Sequence, residues 1–220
     1  NAQAQETDMS LTDYEAFLFD AINKVEWKKK YKEQEKIKSL LDKTKTVRIK
    51  SLDTDLSFSK NGRVSENCSG EFNMPDGEVF TSVIEDSAEG YISYTYPAIY
   101  LGREFSDVRL EFKKGKVVKA SASKNEGDLN QILDTDKGAR FIGEFGIGNN
   151  YKIKKFTKDI LFDEKIGGSF HLTPGFAYEN AFNGNRSSIH WDLVCIQTKE
   201  YGGGEIYFDG VLIRKDGVFI

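Results

Sequence analysis

The side chains with the widest chemical reach in this chain are two imidazoles and a few carboxylates. The only histidines are His171, in Ser169-Phe170-His171-Leu172, and His190, in His190-Trp191-Asp192. In an extended strand, residues i and i+2 share a face. His190 and Asp192 would then project side by side, with Trp191 turned the other way. A neutral imidazole beside a carboxylate suits a borderline divalent cation such as zinc or cobalt. The plainer reading is a histidine hydrogen-bonded to an aspartate on a sheet surface, and spacing alone favours it.

Three acidic segments stand in unusual settings. Asn73-Met74-Pro75-Asp76-Gly77-Glu78 places a turn before a strand, with Glu78 at its first residue, where a rigid scaffold fixes a side chain. Gly143-Glu144-Phe145-Gly146-Ile147-Gly148 sets one carboxylate in an apolar, glycine-spaced run. Such a group is paired, metal-bound or shifted in pKa. Leu161-Phe162-Asp163-Glu164-Lys165-Ile166-Gly167-Gly168 leads to His171, and a local ion network of Asp163, Glu164 and Lys165 is preferred there over a ligand role. Gly146 and Gly148 loosely suggest a phosphate loop, but the pattern is incomplete and no strand-then-helix context supports it. Glu78, Glu144, His171, His190 and Asp192 together supply three carboxylates and two imidazoles. That is a typical ligand set for a pair of divalent ions sharing a bridging carboxylate. From residue types alone it is one guess among several.

These groups must be positioned by the elements around them. Ser10 is placed to cap a helix in which Leu11, Tyr14, Phe17, Leu18 and Ile22 share a face. A second helix is expected from about Glu26 to Asp42, with Trp27, Tyr31, Gln34, Ile37, Lys38 and Leu41 on its less polar side and a solvated Lys/Glu-rich remainder. After Lys45 the period changes to two. Val47–Lys50 and Leu56–Ser59 alternate, and Asn61-Gly62 reads as a hairpin turn. Further strands are expected at Glu78–Ile84, Tyr91–Tyr96, Val108–Phe112 and Val117–Ala122, the last two joined at Lys114-Gly115. Asp128–Ile142 reads as a helix broken near Gly138, and Asp209-Gly210 and Asp216-Gly217 mark C-terminal hairpins. The expected fold class is α+β, with a β-rich mixed or antiparallel sheet or barrel-like domain over 46–220. A helical arm precedes it over 1–45, whose first eight residues are expected to be flexible and compatible with a tag remnant.

At 220 residues, with 39% hydrophobic and 13% aromatic content, the chain can bury a sizeable core. Its 16 Phe and 10 Tyr suit pleated, half-buried surfaces. A net charge of -4 argues against a nucleic-acid partner, which demands a basic face. No run approaches the ~18 apolar residues of a membrane span, and no signal-peptide core is visible. Two cysteines make no disulfide framework, so a cytoplasmic home is expected. Cys195 reads as a small buried residue and Cys68 as part of a loop.

The runs Asn73-Met74-Pro75-Asp76-Gly77-Glu78-Val79-Phe80-Thr81, Gly143–Gly148, Leu161–Gly168 and Asn185-Arg186-Ser187-Ser188-Ile189-His190-Trp191-Asp192 carry a resemblance. From about Met9 to Ile220 the chain resembles the aminopeptidase T and aminopeptidase S family of metallo-aminopeptidases, its motifs in the family's order. The resemblance implies a two-metal exopeptidase with zinc, cobalt or magnesium, acting on peptides with a free N-terminus. It implies Glu78, Glu144, His171, His190 and Asp192 as ligands, Glu144 also as general base, and the Tyr178 hydroxyl at the site. Two metals about 3.5–4 Å apart activate water and polarise a carbonyl. Tyr178 would then donate to the oxyanion; taken alone, it reads as a buried tyrosine with a satisfied hydroxyl. The family implies a homodimer and a further N-terminal α/β domain. The expectation is that this chain is the metal-bearing C-terminal region without it. Thr173-Pro174-Gly175-Phe176-Ala177 and Ala181-Phe182 depart from the family pattern beside the site and are expected to alter substrate preference. The alternatives are a non-catalytic metal-binding or dimerisation fragment, and a β-rich binding domain whose histidines are structural.

Overall fold

The computed structural model describes residues 2–220. Three helices come first: α1 (Ala2–Glu6), α2 (Leu11–Asn23) and α3 (Trp27–Lys43). Then follow β1 (Thr46–Ser51), β2 (Thr54–Ser59), β3 (Ser65–Cys68), β4 (Glu78–Ser82) and β5 (Glu89–Ser93). The hairpins β6 (Ala98–Tyr100) with β7 (Arg103–Phe105) and β8 (Arg109–Lys113) with β9 (Lys116–Ser121) lead to α4 (Glu126–Leu133). The remainder is β10 (Ile142–Gly148), α5 (Ile160–Asp163), β11 (Ser169–Pro174), β12 (Leu193–Ile196), β13 (Gly204–Phe208), β14 (Val211–Lys215) and β15 (Val218–Phe219).

The fold is α+β, built on two open antiparallel sheets rather than a closed barrel. The larger has eight strands in the order β15-β14-β13-β1-β2-β5-β8-β9, and the smaller five in the order β12-β11-β10-β4-β3. They pack face to face. Val47, Ile49, Leu56 and Phe58 of the larger sheet share one core with Phe145, Ile147, Phe170 and Leu172 of the smaller. Phe58 meets Phe145 edge-on, with ring centroids 5.2 Å apart, a favourable geometry for aromatic quadrupoles.

The helices follow the expected chemistry. Ser10 accepts a hydrogen bond from the Asp13 N–H at 3.1 Å and caps α2. On α3, Gln34 and Leu41 are fully buried. The Gln34 amide donates to Asn67 Oδ1 and to the carbonyls of Cys68 and Glu78, at 2.8, 2.9 and 3.0 Å. It thus ties α3 to β3 and to the first residue of β4. Among the described residues, no helix is long and apolar enough to cross a membrane.

Within residues 2–8, Ala4 of α1 is buried and the Thr7 carbonyl accepts from Lys155 Nζ at 2.9 Å. Several expectations are corrected. The helix expected over 128–142 is α4 and ends at Leu133. The Asp136 carboxylate then takes the N–H groups of Gly138 and Ala139, which folds that segment into a turn. Asn61-Gly62 does turn, with Gly62 at φ 75°, but joins no hairpin. The β1–β2 hairpin closes at Leu52-Asp53, and the later turn carries the chain into β3 of the other sheet. Strand β5 lies at Glu89–Ser93 rather than 91–96. Cys68 is the buried last residue of β3, paired across from Glu78, and not part of a loop.

Candidate metal centre

The small sheet is buried on both faces, and its two periods do different work. On β10, Phe145 and Ile147 point into the core. The alternate positions Glu144, Gly146 and Gly148 therefore face the other way. His171 on β11 pairs with Gly146, and Glu78 on β4 pairs with Gly148. A Cβ at Gly146 would lie 2.1 Å from His171 Cε1 and Nε2, so only glycine lets the imidazole lie across β10. The glycine spacing clears room for a side chain and does not form a phosphate loop.

All five candidate ligands come together. His171 Nε2 stands 3.0 Å from Glu144 Oε1 and 3.6 Å from Glu78 Oε2. His190 Nε2 stands 3.4 Å from Asp192 Oδ1. The ring's Nδ1 donates to the Phe176 carbonyl at 2.8 Å, so Nε2 is the nitrogen turned to the cluster, where a ligand can take the place of its proton. As the spacing implied, Trp191 turns away into the core against Phe105 and Tyr100. Thr173 Oγ1 donates to Asp192 and holds its carboxylate in place. Potential donor atoms of Glu78, Glu144 and His171 lie within 4.8 Å of one another, as do those of Glu144, His190 and Asp192. Glu144 belongs to both trios.

Tyr178 lies beside this cluster, its ring centroid 4.4 Å from that of His190. The three-residue ion network is half realised. Lys165, fully buried, bonds to Glu164 and stands 3.6 Å from Glu78. Asp163 instead accepts from the Thr157 N–H and hydroxyl. Residue reasoning missed that Glu164, Cys68, Phe72, Phe80 and Leu161 line the same cavity, of about 380 Å³. One signal was present: Phe80 is two residues after Glu78 on β4 and shares its face.

The electrostatics are those of a carboxylate-rich pocket. Burial pushes Glu78 up to about 7, with the charge of Glu164 adding to the effect. Burial and the neighbouring Asp192 raise Glu164 to about 7. Burial works against charge on His171, but the hydrogen bond to Glu144 and the charge of Glu78 prevail and raise it to about 10. His190 rises to about 9 because Asp192 outweighs its desolvation. Lys165 is likewise held charged against its burial by Glu78 and Glu164. Four carboxylates thus face one ammonium, and a potential that draws protons to imidazoles draws cations equally. Glu78 Oε2, Glu144 Oε2 and His171 Nδ1 are buried without a hydrogen-bond partner. Such orphaned groups call for a ligand, and this mixed imidazole and carboxylate set fits divalent transition ions.

Comparison with known proteins agrees with the geometry. Residues 1–219 match the family described as thermophilic metalloprotease (M29), and the chain belongs to that family. It is 34% identical over 139 residues to aminopeptidase AmpS of Bacillus subtilis, covering 60% of this chain and 34% of that one. It is 33% identical over 163 residues to aminopeptidase 2 of Geobacillus stearothermophilus, covering 66% and 37%. The chain therefore spans about a third of the length of the curated relatives it matches. Among solved structures, wild-type AmpT from Thermus thermophilus superposes with a TM-score of 0.79 at 23% identity, covering 92% of this chain and 57% of that one. A 2,5-dihydroxypyridine dioxygenase from Pseudomonas putida shares the fold with a TM-score of 0.68 at 16% identity, over 84% of this chain and 57% of that one.

Proposed function

We propose that this chain carries the two-metal centre of an aminopeptidase that removes N-terminal residues from peptides. The observation that carries the reading is Glu144, common to two trios of potential ligands built from Glu78, His171, His190 and Asp192. The names of the relatives support the reaction, and the shared dioxygenase fold shows that fold alone does not decide it. Glu78, Glu144 and His171 would hold one ion, and Glu144, His190 and Asp192 the other. Imidazole nitrogen in both trios favours zinc or cobalt over magnesium. Bound divalent ions would supply a polarised scissile carbonyl and a water of lowered pKa.

The chain's own residues account for the remaining steps. Glu144 has one oxygen free of any hydrogen bond and can take the water proton and return it to the leaving amine. Tyr178, half-exposed, is held protonated by partial desolvation and by the charges of Asp192 and Glu144. Its hydroxyl is thereby a donor for the developing oxyanion. His190 is fixed in orientation through its Nδ1 bond to Phe176. The carboxyls of Glu78 and Glu164, each raised to about 7, would be drawn to the charged form by a substrate's free amino group. The division into a helical segment over 1–45 and a metal-bearing segment over 46–220, a homodimeric assembly and a cytoplasmic home for its two free cysteines belong to the same proposal.

The test is elemental mass spectrometry of the purified chain after dialysis against zinc or cobalt, with hydrolysis of leucine p-nitroanilide alongside. Close to two ions per chain and measurable turnover are expected. Two ions without turnover would leave a metal-binding module and reject catalysis by this chain alone. No bound ion would reject the centre.

A further inference from the structure

The cavity that opens onto the candidate ligands has an apolar wall to which the proposed chemistry gives no role beyond the Tyr178 hydroxyl. Phe72, Leu161, Tyr178 and Ile160 surround it, and their exposures are 62%, 50%, 47% and 39%. They come from separate stretches of chain: the turn before β4, helix α5 and the segment after β11. Large apolar side chains left this open and gathered at one cavity mark a binding surface. Behind them Phe80 is buried and packs with Cys68 and Ala181. Because Phe80 and Glu78 share a face of β4, this apolar wall begins within two residues of a candidate ligand.

We infer that this cavity receives the side chain of the substrate's N-terminal residue and selects large apolar and aromatic side chains. The inference rests on the aminopeptidase reading above. That reading sets the scissile carbonyl at the ligand cluster, which leaves the adjoining apolar wall within reach of the first side chain. The volume, about 380 Å³, accommodates a leucine or phenylalanine side chain together with the amino group. Small side chains would leave Phe72, Leu161 and Phe80 without contact. Acidic ones would meet Glu78, Glu144, Glu164 and Asp192, with no lysine or arginine among the lining residues. Each apolar group that fills such a pocket typically changes selectivity by about tenfold or more.

The experiment uses the full chain loaded with zinc or cobalt and the p-nitroanilides of phenylalanine, leucine, alanine and glutamate. The kcat/KM for phenylalanine and leucine is expected to exceed that for alanine by at least about tenfold, with glutamate lowest. Phe72→Ala combined with Leu161→Ala changes two exposed positions. It should lower the phenylalanine-to-alanine ratio by at least about fivefold while the metal content stays that of the parent chain. A flat preference, or a ratio unmoved by the double variant, would overturn the inference. If no nitroanilide is cleaved at all, it is the catalytic reading that fails. Selection is then read by calorimetry with free L-phenylalanine and L-alanine. Tighter phenylalanine binding, weakened in the double variant, sustains the pocket, and equal binding of the two amino acids rejects it.

Discussion

The two sheets of this molecule obey different rules. Strands of the large sheet alternate, as in β1, where Val47 and Ile49 are buried between exposed Thr46 and Arg48. The central strands of the small sheet do not: every residue of β4, β10 and β11 is buried. One face of the small sheet meets the core, while the other holds Glu78, Glu144 and His171 beneath helices and loops. The large sheet thus contributes hydrophobic burial, and the small sheet spends one buried face on polar groups that make poor packing. Stability and chemistry should therefore separate by sheet when residues are changed.

The largest effect is expected from Glu144→Gln, which keeps the shape and removes the charge shared by both trios. Activity should fall on the order of 10³-fold, and metal content from two ions to one or none. The fold should survive, because the lost group opposes its own burial. Unchanged metal content by elemental mass spectrometry would contradict the shared-ligand reading. The mirror image is Leu56→Ala on the large sheet, a fully buried core residue. It should cost about 2–5 kcal/mol in urea unfolding, with the metal content of the folded protein intact. Metal loss at Leu56, or unfolding at Glu144, would break the division between the sheets.

Two glycines sharpen the same contrast at smaller scale. Gly146→Ala places a methyl where the His171 imidazole lies, whereas a Cβ at Gly62 meets nothing within 4 Å. The first should displace the ring and weaken metal binding by roughly 10- to 100-fold, as lost ligand support does. The second should cost about 1 kcal/mol through its positive φ, with no change in metal affinity. Competitive chelation and thermal melting measure the two effects separately.

The same difference decides what the sequence made legible. His190-Trp191-Asp192 was readable because a period of two sorts its side chains whatever surrounds them. The turns at Lys114-Gly115, Asp209-Gly210 and Asp216-Gly217 were readable because each needs positive φ, which the structure bears out. They belong to the large sheet, where water on one face imposes alternation. β3, β10 and β11 carry no such alternation, and glycine at 146 and 148 lowers the strand propensity of β10. The end of α4 was hidden because Leu129, Ile132 and Leu133 continue in helical register up to a turn made by side-chain hydrogen bonds at Asp136. The cavity walls at Phe72 and Leu161 were invisible, because exposed apolar residues in loops acquire meaning only once the fold gathers them.

Asp136 supports the finest test, since it joins a turn after α4 to the segment that delivers His190. Its carboxylate accepts from the N–H groups of Gly138 and Ala139, from the Ser187 hydroxyl, and from the Ser188 N–H and hydroxyl. Desolvation works against its charge, but the bonds from Ser188, Ser187 and Gly138 hold it down at about 2. A carboxylate depressed in the folded state adds stability that is present above its unfolded value, near 3.9. That stability is lost as pH falls through about 2. Asp136→Asn should therefore lower stability by about 1 kcal/mol at pH 6. The gap between variant and parent should close between about pH 4 and pH 2, followed by chemical unfolding across that range. Metal affinity should drop only slightly, because His190 keeps its own bond to Phe176. A gap that persists undiminished at pH 2 would show that the variant acts through packing of the turn and not through the charge of the carboxylate.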